Sequence, residues 1–106
     1  MSGSRTTTRD ESRLDNVHPG EILREDFLIG SDIPVDEVAA GSGIGVPCLS
    51  ALLRGEISVN ADVDLRLARY FGMSEGFFLR LQNSYDLEEV RRAKGNDLDR
   101  IVPRAA

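Results

Sequence analysis

Apolar residues along this chain recur at intervals of three and four, and glycines and prolines divide them into five segments. In "HPGEILREDFL", Ile22, Leu23 and Phe27 share one helical face, Pro19 suits a first helical turn, and Glu21 sits at the positive end of the helix dipole. Gly30 and Ser31 end that helix. Pro34 restarts the chain as "PVDEVAAGS" with Val38 and Ala39 inward; a turn at Gly43 leads to a third helix from about Val46 to Arg54, closed by Gly55. Asn60 is placed to cap "ADVDLRLARYFG", where Leu65, Ala68 and Phe71 fall at helical intervals and Gly72 is the stop. Ser74 is expected to cap the last helix, which carries Phe78, Leu81 and Tyr85 on one stripe and runs to about Ala93, before the breaker Gly95. No segment alternates with a period of two, so the expected class is all-α with five helices.

The ends read differently from the middle. Residues 1–17 are polar, mixed in charge and nearly without large apolar side chains, so they are expected to form a flexible N-terminal arm. Residues 18–94 make the helical domain. Residues 95–106 form a C-terminal tail whose few apolar residues, Leu98, Ile101 and Val102, dock loosely or not at all.

The second and third helices have the spacing of a helix-turn-helix. Such a unit needs a small residue where the helices cross, a glycine where the turn becomes left-handed, and apolar residues beneath the second helix. Counting Val35 as the first position, Val38 and Ala39 fill the fourth and fifth, Gly43 the ninth, Ile44 the tenth, Leu49 the fifteenth and Leu52 the eighteenth. Ser42, at an eighth position that is usually apolar, departs from the pattern and is expected to loosen the packing. A plain three-helix corner without a DNA role fits the same spacing.

More specific are the two stretches around this unit, "HPGEILREDFL" and "RLARYFGMSEGFFLRLQNSYDLEEVRR". Over about His18 to Arg92 the chain closely resembles the HigA family of antitoxins, a subgroup of the lambda-repressor-like helix-turn-helix proteins. The resemblance implies a five-helix lambda-repressor-like domain and a homodimer. It also implies neutralisation of a RelE-like mRNA-cleaving toxin, HigB, and repression of the shared operon. Members commonly carry Gln where Val35 stands, polar residues across 45–48, a small apolar residue at Asp64 and Trp at Phe78.

By helix-turn-helix geometry Gly45, Val46, Pro47, Ser50 and Ala51 face a DNA groove, the resemblance implies a DNA-facing place for Val35 as well, and Arg54 and Asn60 lie where they can hold the backbone. Ser50 is the only groove-facing residue of the third helix with a hydrogen-bonding side chain; Val46 and Ala51 offer at most contact to a thymine methyl. Backbone N–H groups at Gly45 and Val46 suit a phosphate. The set positions DNA better than it reads it, so double-stranded operator DNA is the expected partner with weakened base readout. The alternative is a protein-only interaction module that keeps the antitoxin fold and dimer without a specific operator. The last helix has apolar residues on more than one side, and Phe77 and Leu87 are assigned to a two-fold dimer contact.

Composition narrows the rest. A net charge of -5 argues mildly against a chain whose whole surface grips nucleic acid and leaves room for a local basic face; Lys94 is the only lysine, so the basic side chains are almost all arginines. No apolar run approaches the roughly 20 residues of a membrane span. One cysteine and no leader pattern lead to an expected cytoplasmic location. His18 stands alone and is read as a local helix-entry residue, and Cys48 as a small, partly buried filler in preference to a redox switch. No nucleophile, acid-base or metal-ligand constellation points to an enzyme, a cofactor or a metal.

Overall fold

His18 starts the fold: its Nδ1 accepts a hydrogen bond from the Gly20 N–H at 2.9 Å, which makes the imidazole the N-cap of the first helix. A computed structural model describes residues 15–105 of the chain. Helix α1 begins as an ordinary helix over Pro19–Ile22 and continues as a π-helix over Leu23–Ile29. It is followed by α2 (Val35–Ser42), α3 (Val46–Leu53), α4 (Ala61–Phe71) and α5 (Phe77–Asp99). Five helices and no strand are present among the described residues, as the apolar spacing predicts. Most of the arm expected for residues 1–17 lies outside the described residues; within them, the Asn16 Nδ2 donates to the Tyr85 carbonyl at 2.9 Å and to Glu89 Oε2 at 3.2 Å.

The start of α1 packs on α3 and α5, α2 packs on α3 and α4, and α4 packs on α5. Gly20 makes the first contact possible: a Cβ there would fall inside the carbonyl of Leu52, so only glycine lets the two helix backbones approach this closely. The core between the helices is built from Leu23, Val38, Leu49, Leu52, Leu67 and Phe78, each buried to within 1% of full enclosure. Beside it Phe27, carried by the π-helical turn, meets the rings of Phe71 at 5.0 Å and Phe78 at 5.3 Å, near edge-to-face.

Several expectations change on contact with the structure. Val63 and Leu67, not Leu65, face the core from α4; Leu65 is exposed because the helix turns the carboxylate of Asp64 inward instead. Ser74 does not cap α5 with its side chain. That work falls to Asp64, 2% exposed, whose Oδ2 accepts from the Gly76 N–H at 2.7 Å and whose Oδ1 accepts from the Leu79 N–H at 2.8 Å. Gly95 does not end the last helix; the backbone kinks at Lys94 (φ -129, ψ 20) and turns helically again to Asp99. Cys48 is exposed, not a partly buried filler, since Leu49 and Leu52 take the inward face of its helix.

Candidate nucleic-acid interface

The turn between α2 and α3 is set by Gly43, whose φ of 78 is the left-handed conformation that ends α2. Ser42 does not loosen this corner. Its buried Oγ accepts from the Ile44 N–H at 3.2 Å, and its carbonyl accepts from Arg66 Nη1 at 3.3 Å, so the polar side chain is satisfied inside the turn. Arg66 is itself held by Asp62 on the same helix, with Nε donating to Oδ1 at 3.2 Å and to Oδ2 at 3.1 Å. With Val38 and Ala39 beneath α2, Ile44 in the turn and Leu49 and Leu52 beneath α3, the two helices cross as a helix-turn-helix requires.

This packing fixes which side of α3 faces out. Gly45, Val46 and Pro47 are exposed at the start of the helix, Val46 at 45%, and Cys48 joins them. Ser50 and Ala51 are half-buried on the next turn, and Arg54 is exposed at the C-cap. The start of α3 has no side-chain cap, so its first backbone N–H groups keep their capacity for an outside acceptor. Asn60, exposed at the start of α4, accepts the Val63 N–H on its Oδ1 at 2.9 Å. The structure thus brings Gly45 to Arg54 together along about 12 Å of one helix. Val35 opens α2 half-buried, packed against the core.

Charge on this face is modest. Arg54 donates from Nε to Glu56 Oε2 at 3.0 Å and from Nη2 to Oε1 at 3.1 Å. The hydrogen bonds and mutual attraction raise the Arg54 guanidinium further above its already high range and hold the Glu56 carboxyl below the usual carboxylate value. Both groups are therefore ionised at neutral pH. Glu56 is absent from the sequence-predicted residues, although "RGE" carried the signal: a glycine turn at a helix end folds the second residue after Arg54 back toward it. Asp36 and Glu37 add exposed negative charge in the first turn of α2.

Of the two residues assigned to a dimer contact, Leu87 is 57% exposed and has exposed Val90 beside it one turn on. Phe77 is half-buried and packs on the core, with its ring 5.0 Å from Phe78 and 6.1 Å from Phe27. Among the described residues no helix is long and apolar enough to cross a membrane, and no three His, Cys, Asp or Glu side chains gather where they could hold a metal ion.

No family model matches the chain. It is 30% identical over 93 residues to virulence-associated protein I of Dichelobacter nodosus, covering 88% of this chain and 85% of that protein. Its fold matches the crystal structure of PA4674 from Pseudomonas aeruginosa in complex with its operator DNA, with a TM-score of 0.80 and 35% identity over 85% of this chain and 96% of that one. It also matches the P. aeruginosa antitoxin HigA with the higBA promoter, with a TM-score of 0.78 and 34% identity over 86% of this chain and all of the other.

Proposed function

This chain belongs to the HigA family of lambda-repressor-like helix-turn-helix antitoxins, and from that membership we propose that it is an antitoxin that binds and represses its own promoter as a homodimer and neutralises a RelE-like, mRNA-cleaving toxin of the HigB kind. The observation that carries the DNA part is the outward face of α3, Gly45 to Arg54, seated on a corner braced by Gly43, Ser42 and Arg66. Similar chains with this fold have solved structures in complex with their operators.

In this reading Gly45 and Val46 offer backbone N–H groups to one phosphate, Arg54 and Asn60 reach the backbone farther along, and Ser50, Ala51, Val46 and Pro47 line the groove. Val35 contributes only its exposed edge. Bidentate base contacts, worth about 1–3 kcal/mol each, are missing from this set, so discrimination rests on DNA shape and on the spacing of two half-sites. The test is a competition titration of the full chain between its own promoter and random duplex at near-physiological salt. Binding to both with a preference well below the thousandfold of specific repressors supports the reading; no binding to either rejects it. The toxin half is tested by mixing the chain with the toxin encoded beside it and measuring mRNA cleavage, which the chain should suppress.

A second reading, favoured by the apolar side chains at the start of α3 and the exposed acids Asp36 and Glu37, keeps the antitoxin fold and dimer as a protein-only interaction module. It predicts toxin neutralisation with no gel shift of the promoter.

A further inference from the structure

Arg54 is the only basic residue from Gly45 to Asn60, so it is the one cation that this stretch of the chain offers to a phosphate. The guanidinium is already engaged. Its Nε and Nη2 donate to the two oxygens of Glu56 at 3.0 Å and 3.1 Å, the fork-to-fork geometry with which arginine also binds phosphate. The turn holds Glu56 there: the Gly55 N–H donates to the Leu52 carbonyl and the Glu56 N–H to the Ala51 carbonyl, both at 2.9 Å. Both side chains are more than half exposed, at 59% and 56%, so the pair fills no gap in the core and supports no neighbouring helix.

From this we infer that Glu56 is a built-in competitor of the DNA phosphate for Arg54 and limits how tightly the chain holds DNA. A phosphate approaching the occupied edge must displace the carboxylate, which then faces it as a like charge. A phosphate approaching the free edge meets a guanidinium whose charge is already balanced. Either way Arg54 contributes less than a free arginine to counterion release. The inference rests on the DNA-binding reading above and adds to it a residue that sets affinity without touching a base.

The experiment measures binding of the full chain to its own promoter and to a random duplex across a salt series. It compares wild type, Glu56→Gln, Arg54→Ala and the double variant. Glu56→Gln should tighten both complexes about three- to tenfold at low salt and steepen the dependence of log affinity on log salt by about 0.9 per subunit. In the Arg54→Ala background the same change should have almost no effect. Equal tightening in both backgrounds would mean that the lost negative charge acts on its own, and the inference falls; no tightening in either overturns it as well. If no variant binds any duplex even at low salt, the DNA-binding reading fails first and takes this inference with it. Circular dichroism and melting curves matching wild type show that each variant is folded, as expected for exposed side chains.

Discussion

Asp64 and Leu79 are joined by a 2.8 Å hydrogen bond from the Leu79 N–H to a carboxylate oxygen, across a helix junction and with Asp64 almost fully enclosed. The other oxygen takes the Gly76 N–H, so one residue of α4 serves as the cap of α5. Hydrogen bonds to a charged acceptor contribute about 1.5–3 kcal/mol each, and an orphaned buried donor costs a similar amount.

Asp64→Ala should therefore destabilise the domain by about 3–5 kcal/mol, enough to unfold a marginal protein of this size. Asp64→Asn keeps one acceptor and should lose less. Urea denaturation followed by circular dichroism ranks the three; an alanine variant within about 1 kcal/mol of wild type would show that solvent or Ser74 takes over the cap.

Gly20→Ala should be worse than its single methyl suggests, because the added carbon meets the backbone of Leu52, which no side-chain rotation can clear. The expected loss is at least about 3 kcal/mol, or failure to accumulate folded protein. Gly95→Ala, where a Cβ meets nothing within 4 Å, should be neutral or slightly stabilising in the same assay.

His18 supplies the pH dependence. Desolvation lowers its pKa below the ordinary 6.5, against the opposing pull of the Asp86 charge and of a hydrogen bond to the Ile57 backbone. Its Nδ1 must stay unprotonated to accept the Gly20 N–H. The folded state thus favours neutral imidazole, while the unfolded chain takes up the proton first as pH falls. The stabilisation is complete above 6.5 and is lost as pH falls through the lower folded value. Urea midpoints should drop between about pH 7.5 and pH 5.5 more for wild type than for His18→Asn, which keeps a cap but does not titrate; parallel drops would assign the dependence to other groups.

The two residues assigned to the dimer contact should behave differently. Leu87→Glu places a charge on an exposed site, so it should leave the melting of the subunit intact and move the sedimenting species toward monomer at tens of micromolar. Phe77→Ala removes a ring packed on Phe27 and Phe78 and should lower stability by about 2–4 kcal/mol. A wild type that sediments as a monomer at these concentrations would reject the two-fold contact.

What was legible in the sequence was local. Pro19, Gly43, Asn60 and Gly72 act within their own turns, and each stands at the helix end expected of it. The outward residues of α3 were legible too, because buried Leu49 and Leu52 fix the rotation of a short helix. Misreadings arose where a distant partner decides. Asp64 breaks the apolar stripe of α4 because its ligands lie 12 and 15 residues later, on a helix the spacing cannot place. Gly95 does not stop the helix, since one glycine disfavours a helix by only about 1 kcal/mol and the kink at Lys94 leaves the following turn intact. Ser42 departs from the apolar pattern because Ile44 and Arg66 partner its hydroxyl and its carbonyl.

Two residues of α4, two positions apart, reach in different directions: Arg66 to the carbonyl of Ser42 at the end of α2, and Asp64 to the first turn of α5. Helix α2, on which the reading helix packs, and the last helix are thereby tied to one rigid spar and not to the loops between them. In a pair of chains joined through α5, the gap between the two α3 helices would be set as by a calliper, and resetting it to a different half-site spacing would mean rebuilding α4.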